Sequence, residues 1–315
     1  MSSISDYKET LFKFKESSKI LEKIKIPEHN KNDIDQSYIG LDSYVSIIIV
    51  SILNSLLKAN KMYFHAKYIA QLINFINILC NKKQNDQHND HYNDNNIVNI
   101  LLELINITFY ENTEIFKSTC HPNVSKDINN NALLIFEKYM NLIRSDIPIY
   151  NLNKTKKTDI MELLDVNQIE HYKQINILNE ASLLEYTDLY YGNMCKLGFI
   201  LAWIFGGSST EKHLKILENM GQNCGIIIKV LHDYDNLYNN LHSRISYNTI
   251  ITLGVKKTYN LFMKAKTNFI MCLLKLNLYN NKIIKWIIQE IENKMDEHLE
   301  KSNDLDENIS FVDFD

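Results

Sequence analysis

The segment from Leu217 to Leu237 joins two glycines to a cluster of polar side chains. It reads LENMGQNCGIIIKVLHDYDNL, so Gly221 and Gly225 stand four residues apart and HDYDN lies near its end. Glycine costs about 1 kcal/mol relative to alanine inside a helix, so two at this spacing indicate a closely packed helix face. The segment therefore predicts a tightly packed helix that ends in a polar cluster, which is a candidate functional site.

The polar residues of this segment also have structural interpretations. Asp233 follows Lys229 by four residues, which is the spacing of a helical ion pair worth about 0.2–0.5 kcal/mol. His232 fits an interior histidine equally well. Asp235 lies two residues beyond Asp233 and about 200° around the helix, so we expect it to face a different site. The residues alone leave a functional and a structural interpretation of Asp233 open.

The elements that must position these residues are helices. The chain has 315 residues, of which 45% are hydrophobic, and only 3 prolines and 8 glycines interrupt it. This composition favours an all-α fold with a large core. We predict one α-helical domain over residues 1–300, with an exposed polar loop at 81–96 and an acidic flexible tail at 301–315. Predicted helices include 4–24, 43–57, 61–80, 132–142, 181–205, 247–276 and 280–301.

Charge and hydropathy exclude several classes of protein. The formal net charge is −4, which gives no support for a nucleic-acid partner. The apolar runs VSIIIVSIL and LGFILAWIFGG are shorter than the roughly 18 residues that a membrane-spanning helix needs. The five cysteines show no paired spacing and predict reduced, buried thiols. We therefore expect a cytoplasmic protein without a transmembrane segment.

The segment 217–237 resembles the second aspartate-rich motif of the trans-isoprenyl diphosphate synthases, the polyprenyl synthetase family. That motif reads roughly L-x-x-x-G-x-x-x-G-x-x-x-Q-[IV]-x-D-D-x-x-D. In this chain Lys229 stands at the glutamine position, His232 at the first aspartate and Asn236 at the last. The positions that match the motif are Leu217, Gly221, Gly225, Val230 and Asp233.

Segments further upstream extend the resemblance. ELINITFYENTEIFKS resembles the first aspartate-rich helix of the family. The family's three aspartate positions are occupied here by Thr113, Glu114 and Lys117. ASLLEYTDLYYGNMCKLGF resembles the helix with the E-Y-x-x-x-x-x-x-K-T-G motif, with Asn193 at the lysine position and Lys196 three residues later. For the basic G-G-K-R-x-R-P motif, Lys67 is the nearest candidate.

The resemblance implies an isoprenoid synthase-type helical bundle around a central cavity. In that family, Mg²⁺ ions held by carboxylates on two facing helices neutralise the diphosphate that leaves an allylic substrate. Glu114 and Asp233 are the candidate metal ligands that remain here. Lys67, Lys196 and Lys229 are candidates for binding the substrate diphosphates. The motif positions identify no catalytic residue, since most carry side chains that the chemistry does not use.

These substitutions favour a polyprenyl synthetase-like protein with impaired catalysis. It would be a non-catalytic or regulatory subunit, or a binder of an isoprenoid chain or diphosphate. The expected assembly is a homodimer or a heterodimer with an active synthase. The alternative is an active prenyltransferase that condenses isopentenyl diphosphate with an allylic diphosphate, or a terpene cyclase, with an unconventional Mg²⁺ site. An unrelated helical interaction protein is the third hypothesis.

Overall fold

The structure is a computed structural model. It describes residues 42–56, 63–86, 95–119, 122–145, 152–154, 160, 164, 166–208, 210–242 and 245–303. The predicted helix at 4–24 lies outside the described residues, as do 87–94 of the predicted loop and 304–315 of the predicted tail. The single-domain prediction stays a prediction, because it includes residues 1–41.

Helices dominate the described part of the chain, which confirms the all-α prediction. A π-helix at Asp188–Gly192 joins two of them without a break. The α-helices are α1 Asp42–Leu56, α2 Tyr63–Asp86, α3 Asn95–Thr119, α4 Pro122–Arg144, α5 Val166–Gln174, α6 Glu180–Thr187, α7 Asn193–Phe205, α8 Leu214–Asp235, α9 Leu237–Asn240, α10 Thr249–Leu253, α11 Val255–Lys275 and α12 Lys282–Asn303. No described helix is both long and apolar enough to cross a membrane.

Helix α7 is the centre of the bundle. Every residue from Asn193 to Phe205 is buried except Lys196, which is partly exposed. A helix that is hydrophobic on all sides must be covered on all sides, and α7 packs against α1, α2, α4 and α8. Cys80, Cys195, Cys224 and Cys272 are buried free thiols, which confirms the prediction for the cysteines that the structure describes.

Three short strands were not predicted. β1 (Leu152–Lys154) pairs antiparallel with β2 (Asn176–Leu178), and β2 pairs parallel with β3 (Ile245–Ser246). Strands of two or three residues are too short to show the alternation on which strand prediction depends. They lie beside a second, smaller apolar cluster that includes Ile177 and Ile250.

Several predicted helix boundaries are wrong. Helix α2 continues to Asp86, six residues into the segment predicted as a loop from 81. Helix α4 begins at Pro122 rather than at 132, because proline is well suited to the first turn of a helix. The helix predicted over 247–276 is divided at Gly254, whose φ of 84° is a conformation that favours glycine. The predicted end of the helix over 181–205 is confirmed, since α7 ends at Phe205 and Gly207 follows with φ of 79°.

Candidate functional site

The two glycines of α8 lie against the backbone of the π-helix and the start of α7. A Cβ atom on Gly221 would stand 2.5 Å from the backbone nitrogen of Lys196. A Cβ atom on Gly225 would stand 2.5 Å from the backbone nitrogen of Gly192. Backbone atoms cannot move away as a flexible side chain can, so this face of α8 needs glycine. The predicted close packing is confirmed.

The π-helix sets the position of Lys196, which lies three residues after the lysine position of the E-Y-x-x-x-x-x-x-K-T-G motif. Its Nζ donates to Asp188 Oδ1 at 2.6 Å and Oδ2 at 2.8 Å, eight residues back. The same ammonium lies 3.3 Å from Oδ1 of Asn193, the residue at the family's lysine position. Single π-turns inside α-helices are frequent at functional sites. Here the arrangement gives Lys196 an ion pair within its own chain segment.

Asp233 stands at an aspartate position of the second motif, and its carboxylate and backbone carbonyl accept hydrogen bonds inside the protein. Its Oδ1 accepts a hydrogen bond from Nζ of Lys229, one turn earlier on α8. Its Oδ2 accepts from the backbone N–H of Thr249 at 2.7 Å. Its backbone carbonyl accepts from Nδ2 of Asn248 at 2.8 Å. The side chains of Lys229 and Asp233 are 0% and 1% exposed. The predicted ion pair between them therefore exists, and it is buried.

Aromatic rings surround the buried ammonium of Lys229. Its Nζ lies 5.6 Å from the ring centroid of Tyr191 and 5.9 Å from that of Tyr186. Such contacts are worth up to about 2 kcal/mol when water is excluded. Burial, followed by nearby Tyr191 and Cys80, raises the pKa of Tyr186 well above its ordinary value, so this ring stays neutral. Lys229 therefore has a carboxylate partner and two π faces in place of water.

The other polar residues at the end of α8 face in different directions. His232 is partly buried, and burial followed by the charge of Lys229 lowers its pKa. Its Nδ1 has no hydrogen-bond partner among the described residues. Asn236 donates from Nδ2 to the carbonyl of His232 at 3.0 Å. Asp235 lies 3.0 Å from Nζ of Lys294 on α12. This confirms the prediction that Asp235 and Asp233 face different sites.

The first-motif positions lie in a different environment on α3. Thr113 is buried and donates to the carbonyl of Tyr110 at 2.7 Å. The side chain of Glu114 is 68% exposed and forms an i, i+3 ion pair with Lys117. Glu114 also lines a cavity of about 740 Å³ on the outer face of α3, together with Tyr68 of α2. The neighbouring Phe109 points inward and stacks on Phe136 of α4.

The structure does not bring the two candidate metal ligands to one site. Glu114 lies in an exposed cavity, whereas both carboxylate oxygens of Asp233 are held inside the core. In the part of the chain that the structure describes, no three His, Cys, Asp or Glu side chains are placed to share a metal ion. The residues present therefore do not fit the Mg²⁺ cluster that the resemblance implies. Lys67 lies on α2 with its side chain outside the described part, and its role stays a prediction.

A polar cavity that the sequence did not predict lies between α4, the π-helix and α8. It measures about 430 Å³, and Lys196 and Asp188 stand on one side of it. On the other side, Glu218 accepts from Nζ of Lys138 at 2.9 Å and from the hydroxyl of Tyr139 at 2.8 Å. Burial acts to raise the pKa of Glu218, but these hydrogen bonds outweigh it and the net shift is downward. The residues that line this cavity come from separate segments of the chain, so no local sequence pattern reveals the cavity.

The known proteins that the chain resembles are similar in structure rather than in sequence. No protein-family model matches the chain, and no curated protein matches it at a significant level. Solved structures do match along nearly its whole length. A FPP/GFPP synthase from Zymomonas mobilis is 13% identical with a TM-score of 0.53, over 92% of this chain and 100% of the other.

Two further structures give the same result. A geranyltransferase from Legionella pneumophila is 12% identical with a TM-score of 0.56, over 95% of this chain and 96% of its own. A geranyltranstransferase from Thermotoga maritima is 10% identical with a TM-score of 0.55, over 93% of this chain and 99% of its own. The chain has the isoprenoid synthase fold. Within the isoprenoid synthase fold, α8 carries the segment that resembles the second aspartate-rich motif, and α3 carries the first.

Proposed function

We propose that this protein is a polyprenyl synthetase-like protein of isoprenoid metabolism that has lost magnesium-dependent prenyl transfer. It acts as a non-catalytic subunit or as a binder of an isoprenoid chain or diphosphate. The observation that carries this proposal is the engagement of both carboxylate oxygens of Asp233 by Lys229 and Thr249 in the core.

The physical reason is the charge that prenyl transfer must stabilise. An allylic diphosphate can leave only if cations neutralise the charge that develops on it, which metal ions do in this chemistry. For Asp233 to bind Mg²⁺, it would have to release the ammonium of Lys229. That ammonium would then be a buried charge without a partner, which is strongly unfavourable. Glu114 cannot compensate, since it lies at an exposed cavity that Asp233 does not line.

The direct test is a prenyl transfer assay on the purified protein. Labelled isopentenyl diphosphate is incubated with dimethylallyl, geranyl or farnesyl diphosphate, in the presence of Mg²⁺ or Mn²⁺. We expect no product above a boiled control, with the Thermotoga maritima enzyme as the positive control in the same buffer. Steady formation of product would reject the proposal and support the active prenyltransferase instead. Incubation with each allylic diphosphate alone tests the terpene cyclase in the same way.

Three further measurements distinguish a subunit from a binder. Calorimetric titration with farnesyl diphosphate and with farnesol, without added metal, tests for binding of an isoprenoid. Light scattering after gel filtration tests for a homodimer. Mixing the protein with an active prenyltransferase of the same cell, followed by the prenyl transfer assay, tests for a heterodimer. A non-catalytic subunit is expected to change the rate or the chain length of the product. If neither isoprenoid binds and the partner's product is unchanged, both roles are rejected.

A further inference from the structure

The buried pair of Lys229 and Asp233 on α8 is similar to a cation site in which a lysine side chain takes the place of a bound cation. We propose that the ammonium of Lys229 is a permanent, covalently tethered counter-cation of Asp233, which closes this carboxylate to divalent metals and lets it fix the segment that begins α10. This inference deepens the proposed function and rests on the same alignment of Asp233 with the second aspartate-rich motif. Its test uses no prenyl substrate, so the two can fail separately.

The site around Asp233 is complete without a metal ion. A buried charge persists only when a partner of opposite charge and hydrogen bonds compensate it. Asp233 has the ammonium of Lys229 on Oδ1 and the N–H of Thr249 on Oδ2. Lys229 has the carboxylate and the faces of Tyr186 and Tyr191. With the two side chains 0% and 1% exposed, the site has the compensation that a metal would otherwise supply.

There is also a mismatch between this site and Mg²⁺. Mg²⁺ demands near-octahedral oxygen coordination and gives up its waters reluctantly. An ammonium is a compact point charge on a flexible stem, and its three N–H donors need acceptors rather than an octahedral set of oxygen ligands. A divalent ion that reached Asp233 would approach the ammonium of Lys229 closely, and like charges repel strongly where water is absent. The pair therefore opposes metal binding as well as making it unnecessary.

The compensated carboxylate also has a structural role. Thr249, which donates to Asp233 Oδ2, is the first residue of α10. The preceding Asn248 donates from Nδ2 to the carbonyl of Asp233 and to Oδ1 of Asn240. Its own Oδ1 accepts from the N–H of Ile250 at 2.9 Å. Asp233 thus joins the end of α8 to the start of α10 through one connected set of hydrogen bonds.

The metal half of this inference is tested on the folded, full-length protein by comparing wild type with Asp233→Asn. Thermal unfolding is followed with and without millimolar Mg²⁺ or Mn²⁺, and Mn²⁺ binding is followed by electron paramagnetic resonance. We expect the response to metal to be the same in both proteins, because Asp233 is closed to it. Binding or stabilisation present in wild type and lost in Asp233→Asn would overturn the proposal. If Asp233→Asn does not fold, a wild type that binds no Mn²⁺ supports the proposal, and tight Mn²⁺ binding that persists in Glu114→Gln contradicts it.

The structural half is tested by amide hydrogen exchange. Loss of a buried hydrogen bond to a charged group is worth about tenfold to hundredfold in an opening equilibrium. We expect amides of α10 (Thr249–Leu253) to exchange at least about tenfold faster in Asp233→Asn. Glu114→Gln on α3 is the matched control and should leave these amides unchanged. Lys229→Arg, which keeps the cation, should preserve more protection than Lys229→Gln. Equal exchange in wild type and Asp233→Asn would contradict the role of Asp233.

Discussion

The two regions that resemble aspartate-rich motifs each contain a lysine–carboxylate pair within one helix, in opposite environments. On α3, the side chains of Lys117 and Glu114 are 53% and 68% exposed. On α8, the side chains of Lys229 and Asp233 are 0% and 1% exposed. Spacing is nearly the same, i, i+3 against i, i+4, so the difference comes from the surroundings. The first pair belongs to the solvated surface, and the second belongs to the core.

A motif position can therefore retain its carboxylate without retaining the ability to bind a metal ion. An exposed helical ion pair contributes about 0.2–0.5 kcal/mol, because water and salt screen it. Removal of one partner from a buried pair costs about 3–5 kcal/mol, because a charge is left in the core without compensation. Asp233 therefore has a structural role large enough to account for its presence without any metal. Glu114 is exposed, and Asp233 does not line its cavity.

The largest expected effect is that of breaking the buried pair. Lys229→Met should lower the free energy of unfolding by about 3–5 kcal/mol, because Asp233 would remain charged in the core. The matched change on α3, Lys117→Met, should alter it by no more than about 0.5 kcal/mol. Urea denaturation of both variants at neutral pH measures the difference. Losses of similar size in the two variants would remove the distinction between the regions.

A smaller effect is expected for the packing face of α8. Helix propensity alone predicts that Gly225→Ala stabilises the protein by up to about 1 kcal/mol. The 2.5 Å approach of the added Cβ to the backbone nitrogen of Gly192 predicts the opposite, since overpacking costs about 1–3 kcal/mol. We expect destabilisation in denaturant unfolding. Gln222→Ala, at a partly exposed position of α8, is the control and should change stability by less than about 0.5 kcal/mol. Stabilisation by Gly225→Ala would show that the two backbones do not approach so closely.

Asp235 provides a contrast on the same helix as Asp233. Its partners, Lys294 at 3.0 Å and His298 at 3.4 Å, are on α12, and its side chain is 40% exposed. Asp235→Asn should therefore cost no more than about 1 kcal/mol. The loss should shrink in high salt, because exposed charges are screened. The loss caused by Asp233→Asn should be larger and insensitive to salt. A salt-independent loss at Asp235 would mean that this pair is also shielded from water.

The smallest effect expected is a pH dependence due to His232. Burial, with the charge of Lys229, lowers the pKa of folded His232 below its ordinary value of 6.5, so the unfolded state binds its proton first as the pH falls. The stability that neutral His232 contributes is present well above the unfolded pKa of 6.5 and is lost as the pH falls through it toward the folded pKa. Relative to His232→Gln, wild type should therefore lose stability as the pH falls below 6.5. Parallel profiles for the two proteins would contradict a buried neutral histidine.

The sequence predicted the features of α8 that depend on spacing along one helix. The glycines at a one-turn interval indicated a close backbone contact, and the structure shows it against Gly192 and Lys196. The interval of two residues between Asp233 and Asp235 indicated different faces, and they contact different helices. Such features follow from helix geometry alone, which is why they are predictable from a single sequence.

Features that depend on contacts between distant segments were missed. The burial of Lys229 and Asp233 depends on Tyr186, Tyr191 and Thr249, which no local pattern links to α8. The contact between Lys138 and Glu218 joins residues 80 positions apart. A lysine and an aspartate four residues apart form the same sequence pattern whether they lie in water or in the core. The energy of the pair could therefore not be predicted.

The most direct measurement is a double-mutant cycle on each of the two pairs. Lys229→Met, Asp233→Asn and their combination are compared with Lys117→Met, Glu114→Gln and theirs, by urea unfolding under identical conditions. We predict a coupling energy of about 2 kcal/mol or more for the pair on α8 and about 0.5 kcal/mol or less for the pair on α3. Equal coupling energies would contradict the conclusion that Lys229 is the resident cation of Asp233 in the core.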